Sequence, residues 1–112
     1  MKHYINQLDK ILKQPNDFIR CDNIEYLLLR FKSVCKRLED LQISNNAPFV
    51  CPTNRESIQL EFWAKFGNYL ELEIFKDKIT MLKIIDNQEI EIDVDEDTAV
   101  EEVSRFINTC EF

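Results

Sequence analysis

One glycine, three prolines and one histidine in 112 residues set the first limits on this chain. With Gly67 as the only glycine, there is no Gly-rich loop to cradle a phosphate and no long flexible linker. His3, alone near the amino terminus, cannot form a His-based dyad, triad or multi-His zinc site. The four cysteines, Cys21, Cys35, Cys51 and Cys110, are widely spread with no Cys-x-x-Cys pair. That spacing argues against a disulfide framework or a zinc knuckle and fits reduced thiols in the cytoplasm. The longest apolar runs, Tyr26 to Leu29 and Ile79 to Ile85, are far shorter than the roughly 18 residues a membrane-spanning helix needs. The opening Met-Lys-His-Tyr-Ile-Asn-Gln-Leu lacks the apolar stretch and cleavage site of a secretory signal, so export is not expected.

What the chain does have is a globular composition, 45% hydrophobic and 11% aromatic, enough for one domain over 1–112 with its own core. Its charge of −7 is unevenly placed. Residues 1–56 carry seven acids and nine bases, whereas residues 57–112 carry fourteen acids and five bases. An acidic second half repels phosphate, and no Lys/Arg run concentrates the bases of the first half, so direct nucleic-acid binding is disfavoured.

Hydrophobic periodicity divides the chain into a helical part over 1–43, a loop over 44–56, a sheet over 57–95 and a closing helix over 98–110. Tyr4, Ile5, Leu8, Ile11 and Leu12 recur at helical spacing before Pro15. After the Pro15-Asn-Asp17 turn, Asp22 or Asn23 can cap a second helix. Its stripe is Ile24, Leu27, Leu28, Phe31, Val34, Cys35, Leu38 and Leu41, with a mainly basic opposite side. The segment from Ser44 to Ser57 holds two prolines and many turn formers and reads as a loop, with Phe49 and Val50 either tucked beneath it or presented to a partner.

From Ser57 the period becomes two. Ile58, Leu60, Phe62 and Ala64 alternate with polar or amphipathic residues, and after Phe66-Gly67-Asn68 so do Leu70, Leu72 and Ile74, which predicts a hairpin. A third strand over 79–85 and a fourth over 89–95 follow, the latter with Ile90, Ile92 and Val94 inward. The third strand is apolar on both sides. Taking Asp86-Asn-Gln88 as a three-residue turn pairs Lys83 with Glu91 on the outer face and points Leu82 and Ile84 inward, leaving Ile79, Met81 and Ile85 partly uncovered. Thr98-Ala-Val-Glu101 reads as a capping box opening the last helix, with Val100, Val103, Phe106, Ile107 and Cys110 on its buried side. The expected fold is therefore α+β: two N-terminal helices, a four-stranded antiparallel meander and a C-terminal helix, with the helices on one face of the sheet.

Few groups invite chemistry. Asp93-Val-Asp95-Glu-Asp97 begins like a calcium loop, but such a loop needs Gly at its sixth position and Glu at its twelfth, where this chain has Thr98 and Ser104. Glu71/Glu73 and Glu89/Glu91 could do acid–base work, yet alternating acids also occur on any solvated strand face. Lys76 and Lys83 bear no recognisable spacing to those acids. Cys51 is the one thiol placed for access, with no base beside it in sequence. No metal or cofactor is expected.

The remaining feature is the outward row of the sheet: Glu61, Trp63, Tyr69, Glu71, Glu73, Phe75, Glu89, Glu91 and Asp93. Aromatics provide anchors and acids steer encounter, which suits a protein partner with a basic surface. The segments Pro52-Thr-Asn-Arg-Glu-Ser-Ile-Gln-Leu-Glu-Phe62 and Gly67-Asn-Tyr-Leu-Glu-Leu-Glu-Ile74 resemble a motif of small uncharacterised bacterial proteins, some encoded near toxin–antitoxin or defence genes. Where those proteins often carry glycine-rich turns, this chain has Asn54-Arg55-Glu56. The resemblance implies no catalytic residue. The charge asymmetry and the missing catalytic groups point to a non-catalytic protein-binding module of antitoxin, immunity or anti-defence type. The alternatives are a small enzyme, or a subunit lending sheet carboxylates or Cys51 to an active site, and a homodimer formed through the exposed parts of the third strand and the aromatics.

Overall fold

A computed structural model describes residues 24–40 and 48–112. The expected first helix, the Pro15-Asn-Asp17 turn, the Asp22 or Asn23 cap, His3 and Cys21 lie outside the described residues. Within them the order is α1 (Ile24–Asp40), β1 (Phe49–Pro52), β2 (Ser57–Trp63), β3 (Tyr69–Phe75), β4 (Ile79–Ile85), β5 (Gln88–Val94) and α2 (Glu96–Thr109). The strands form one antiparallel sheet in sequential order, each paired with the next.

The sheet has five strands rather than four, because Phe49–Pro52 pairs with Glu61–Ile58 instead of forming a loop. The turn residues account for it. The Thr53 hydroxyl accepts the Arg55 N–H at 3.0 Å, the Thr53 N–H reaches the Ser57 carbonyl at 3.1 Å, and Glu56 adopts a left-handed φ of 59°. Together these reverse the chain over Thr53–Glu56, so that the strand ends at Pro52, at a sheet edge where a missing N–H is tolerated.

One core joins both helices to one face of the sheet. Leu27, Phe31, Val34, Cys35 and Leu38 of α1, with Ala99, Val100, Val103 and Phe106 of α2, pack on Ile58, Leu60, Phe62, Leu70, Leu72, Ile74, Ile79 and Met81. Burying each large apolar side chain is worth about 1.5–3 kcal/mol, which is what holds two short helices on the sheet. Cys35 is one of these packing residues; burial pushes its thiol up to about 12, so it behaves as a small hydrophobe. Arg37 links the helices through Glu96 at 3.2 Å and Asp97 at 2.6 Å, and Arg30 Nε donates to the Lys76 carbonyl at 3.3 Å, tying α1 to the β3–β4 turn.

The register of β4 overturns one expectation. Asp86 and Asn87 form a two-residue turn with φ of 51° and 66°, so Ile85 pairs with Gln88 and Lys83 with Ile90. A one-residue difference in turn length moves every side chain to the other face. Ile79 and Met81 therefore face the helices and are buried, while Leu82 and Ile84 face outward. Lys83 points to the helix side and meets Glu102 of α2 at 2.9 Å instead of Glu91. The cap of α2 also lies three residues earlier than expected: the Asp95 carboxylate, not Thr98, accepts the free amide, from Thr98 N at 2.7 Å. This start puts Glu96 and Asp97 at the positive end of the helix dipole. The hydrogen bonds from Thr98 hold the Asp95 carboxyl below its usual range.

Candidate functional site

Strand alternation and register arrange the outer face in cross-strand rows. Cys51, Gln59, Glu73, Thr80 and Asp93 form one; Phe49, Glu61, Glu71, Leu82 and Glu91 the next; Trp63, Tyr69, Ile84 and Glu89 a third. Ser57 and Phe75 pair at one end. All nine residues expected on this face are there. None of the described strands places a lysine or arginine on it.

At the Ser57 end the surface is closed by its own hydrogen bonds. Glu73 is only 8% exposed, and Arg55 clasps it with two nitrogens, Nε at 2.9 Å and Nη2 at 3.2 Å. The Ser57 hydroxyl donates to the same carboxylate at 2.6 Å and is itself hydrogen-bonded to Thr53. Burial alone would raise the Glu73 pKa, but the bonds from Arg55 and Ser57 outweigh it and hold the carboxyl below its ordinary value. The Gln59 amide bridges the set, accepting from Arg55 Nη2 at 3.0 Å and donating to Glu61 at 3.1 Å. Nearby, the Lys78 ammonium lies 5.0 Å from the centre of the Phe75 ring. Glu73 and Phe75 are thus occupied within the chain.

The Trp63 end is different. Glu61 and Glu71 lie directly opposite each other on adjacent strands, and no lysine or arginine pairs with either among the described residues. Their partners are neutral: the Gln59 amide at 3.1 Å and Trp63 Nε1 at 3.4 Å donate to Glu61, and the Tyr69 hydroxyl donates to Glu71 at 2.7 Å. Burial and that bond to Glu71 raise the Tyr69 pKa, so the phenol stays protonated as a donor. The Trp63 and Tyr69 rings stand 4.4 Å apart, tilted by 53°. Tyr69 is buried beneath its neighbours, while Trp63 remains 60% exposed. Phe49, 66% exposed, extends the apolar part onto β1; alternation along that strand would have placed it, had the strand been recognised. Leu82 and Ile84 supply the half-buried apolar middle between these acids and those of β5.

Cys51 is exposed between the two ends. Partial burial and the neighbouring Glu61 and Glu71 push its thiol pKa up, the opposite of the activation a nucleophile needs. The acids of the Asp93-Val-Asp95-Glu-Asp97 run face different partners: Asp93 accepts from Thr80 Oγ1 at 2.8 Å, Asp95 caps α2 and Asp97 pairs with Arg37. Among the described residues, no three His, Cys, Asp or Glu side chains converge as metal ligands, and no helix is long and apolar enough to cross a membrane.

What the face can do chemically is present fixed negative charge beside exposed aromatic and aliphatic surface. No protein-family model, curated protein or solved structure matches the chain.

Proposed function

We propose that the chain is a non-catalytic protein-binding module that neutralises or regulates a partner with a basic surface, in the manner of an antitoxin, immunity or anti-defence protein. The observation that carries this reading is the Trp63 end of the outer face, where Glu61 and Glu71 have no cation among the described residues while Trp63 and Phe49 stand exposed beside them. Unpaired carboxylates steer a basic partner and keep it in register, and an exposed tryptophan gives the desolvated anchor on which interface energy concentrates. Glu73, which the sequence places in the same set, serves the fold instead.

The reading is tested with a tagged copy purified from its native cells beside a Glu61→Lys, Glu71→Lys variant of unchanged melting temperature. A basic protein retained by the wild type, released by salt and lost from the variant supports it. Equal retention by both proteins overturns it.

A further inference from the structure

The two edges of the sheet are unlike. β1 has four residues and ends in a proline, whereas β5 has seven residues, no proline and, among the described residues, no strand on its far side. The β4–β5 register fixes which backbone groups point outward. With Ile85 and Gln88 closing a two-residue turn, they form a hydrogen-bonded pair, and alternation makes Lys83–Ile90, Met81–Ile92 and Ile79–Val94 the others. The N–H and C=O groups of Glu89, Glu91 and Asp93 therefore point away from the sheet.

The side chains of β5 differ by face. Glu89, Glu91 and Asp93 lie on the outer face, all exposed. On the helix side, Ile90 and Ile92, paired with Lys83 and Met81, extend the face past the cover of α2, and each is 48% exposed. Between Ile90 and α2 runs a groove of about 410 Å³, lined by the apolar Ile85, Ile90 and Phe106 and by Lys83, Glu102 and Arg105 among others.

We propose that β5 is a docking edge for an extended segment of another protein with alternating basic and apolar residues, added to the sheet as a sixth strand. The segment's backbone pairs with the outward groups of Glu89, Glu91 and Asp93. Its apolar side chains cover Ile90 and Ile92 and lean toward the groove, while its lysines or arginines, on the other face, lie beside the three acids. A second copy of this chain does not meet the requirement. Antiparallel pairing of β5 with itself about Glu91 sets Glu91 against Glu91 and Glu89 against Asp93, and like charges directly opposite are destabilising. The proposal shares the three β5 acids with the surface proposed above but does not depend on Trp63, Glu61 or Glu71.

The probe is the capped peptide Lys-Val-Lys-Ile-Lys-Val-Lys, titrated by calorimetry into the full chain and two variants. Glu91→Pro removes an outward N–H without touching a β4–β5 hydrogen bond, and proline is tolerated on edge strands. Glu91→Gln removes the same charge and keeps the N–H. Binding to the wild type is expected to weaken about tenfold or more in Glu91→Pro and only a few-fold in Glu91→Gln, with unchanged melting curves. The acidic counterpart Glu-Val-Glu-Ile-Glu-Val-Glu is expected not to bind. Glu61→Lys with Glu71→Lys is expected to leave the peptide's β5 contacts intact, so loss of the native partner and loss of the peptide are separable results. Failure of the peptide to bind, equal binding to wild type and Glu91→Pro, or equal binding of the acidic peptide would overturn the proposal. So would a wild-type dimer in sedimentation that Glu91→Pro abolishes.

Discussion

Glu71 and Glu73 sit two residues apart on the same strand, point to the same face and have opposite fates. Glu73 is enclosed by Arg55 and Ser57, and its charge contributes to holding the Thr53–Ser57 turn against the sheet. Glu71 faces Glu61 across the strand pair and, among the described residues, has only the Tyr69 hydroxyl as donor. One end of the face therefore closes upon itself, and the other leaves charge and an indole available to something outside. The cause is local: β1 turns into β2 beside Glu73 and brings an arginine with it, whereas β2 turns into β3 beside Trp63 through Lys65–Gly67 and brings an exposed Phe66.

The comparison is broken most strongly at the closed end. Glu73→Ala leaves the buried Ser57 hydroxyl without its acceptor and is expected to cost about 1–3 kcal/mol in urea denaturation. Arg55→Ala, whose guanidinium is partly in solvent, is expected to cost about 1–2 kcal/mol. The double variant is expected to lose less than the sum, because either change already breaks the same cluster.

Acid probes the same end. Since the folded-state pKa of Glu73 lies below its ordinary 4.5, the unfolded chain binds the proton first as pH falls. The stabilisation is complete above 4.5 and is lost as pH drops through the folded value. The stability difference between wild type and Glu73→Gln should accordingly be constant near neutrality and shrink below pH 4.5.

The open end is read by Trp63, the only tryptophan. Normalised for each ion to free N-acetyltryptophanamide, its fluorescence should be quenched more by caesium than by iodide at low salt, because Glu61 and Glu71 attract the cation and repel the anion. Replacing both acids by Gln should bring the two quenchers together; an unchanged ratio would show that these carboxylates do not set the local potential. The smallest effect is expected from Glu61→Gln alone, which relieves the cross-strand repulsion and should stabilise the fold by about 0.2–1 kcal/mol in low salt. The gain should vanish near about 1 M salt, where the screening length is about 3 Å.

How much of this was legible varies by element. Helix α1 and the β2–β3 hairpin could be read because their apolar residues recur at a single period, and α2 because its acids and apolar face agree. β1 was hidden by its brevity and by Pro52, signals that elsewhere mark a loop. Periodicity could not orient β4, since Ile79, Met81 and Ile85 on one side and Leu82 and Ile84 on the other are equally apolar, and the turn length assumed in its place was one residue too long. The Arg55–Glu73 clasp had no signal at all, because 18 positions separate the two and only the pairing of β1, β2 and β3 brings them together.

By itself, the sequence determined the alternation of acids and apolar residues, and with it an antiparallel sheet with one face for helices and one for acids. Periodicity is a local property of the chain, and burial follows from it. Tertiary structure decided which acids would be neutralised, which side of β4 would meet the helices and that β5 would be an edge strand of the described sheet. Those outcomes depend on turn geometry and strand order, where one residue more or less exchanges the two faces of a strand.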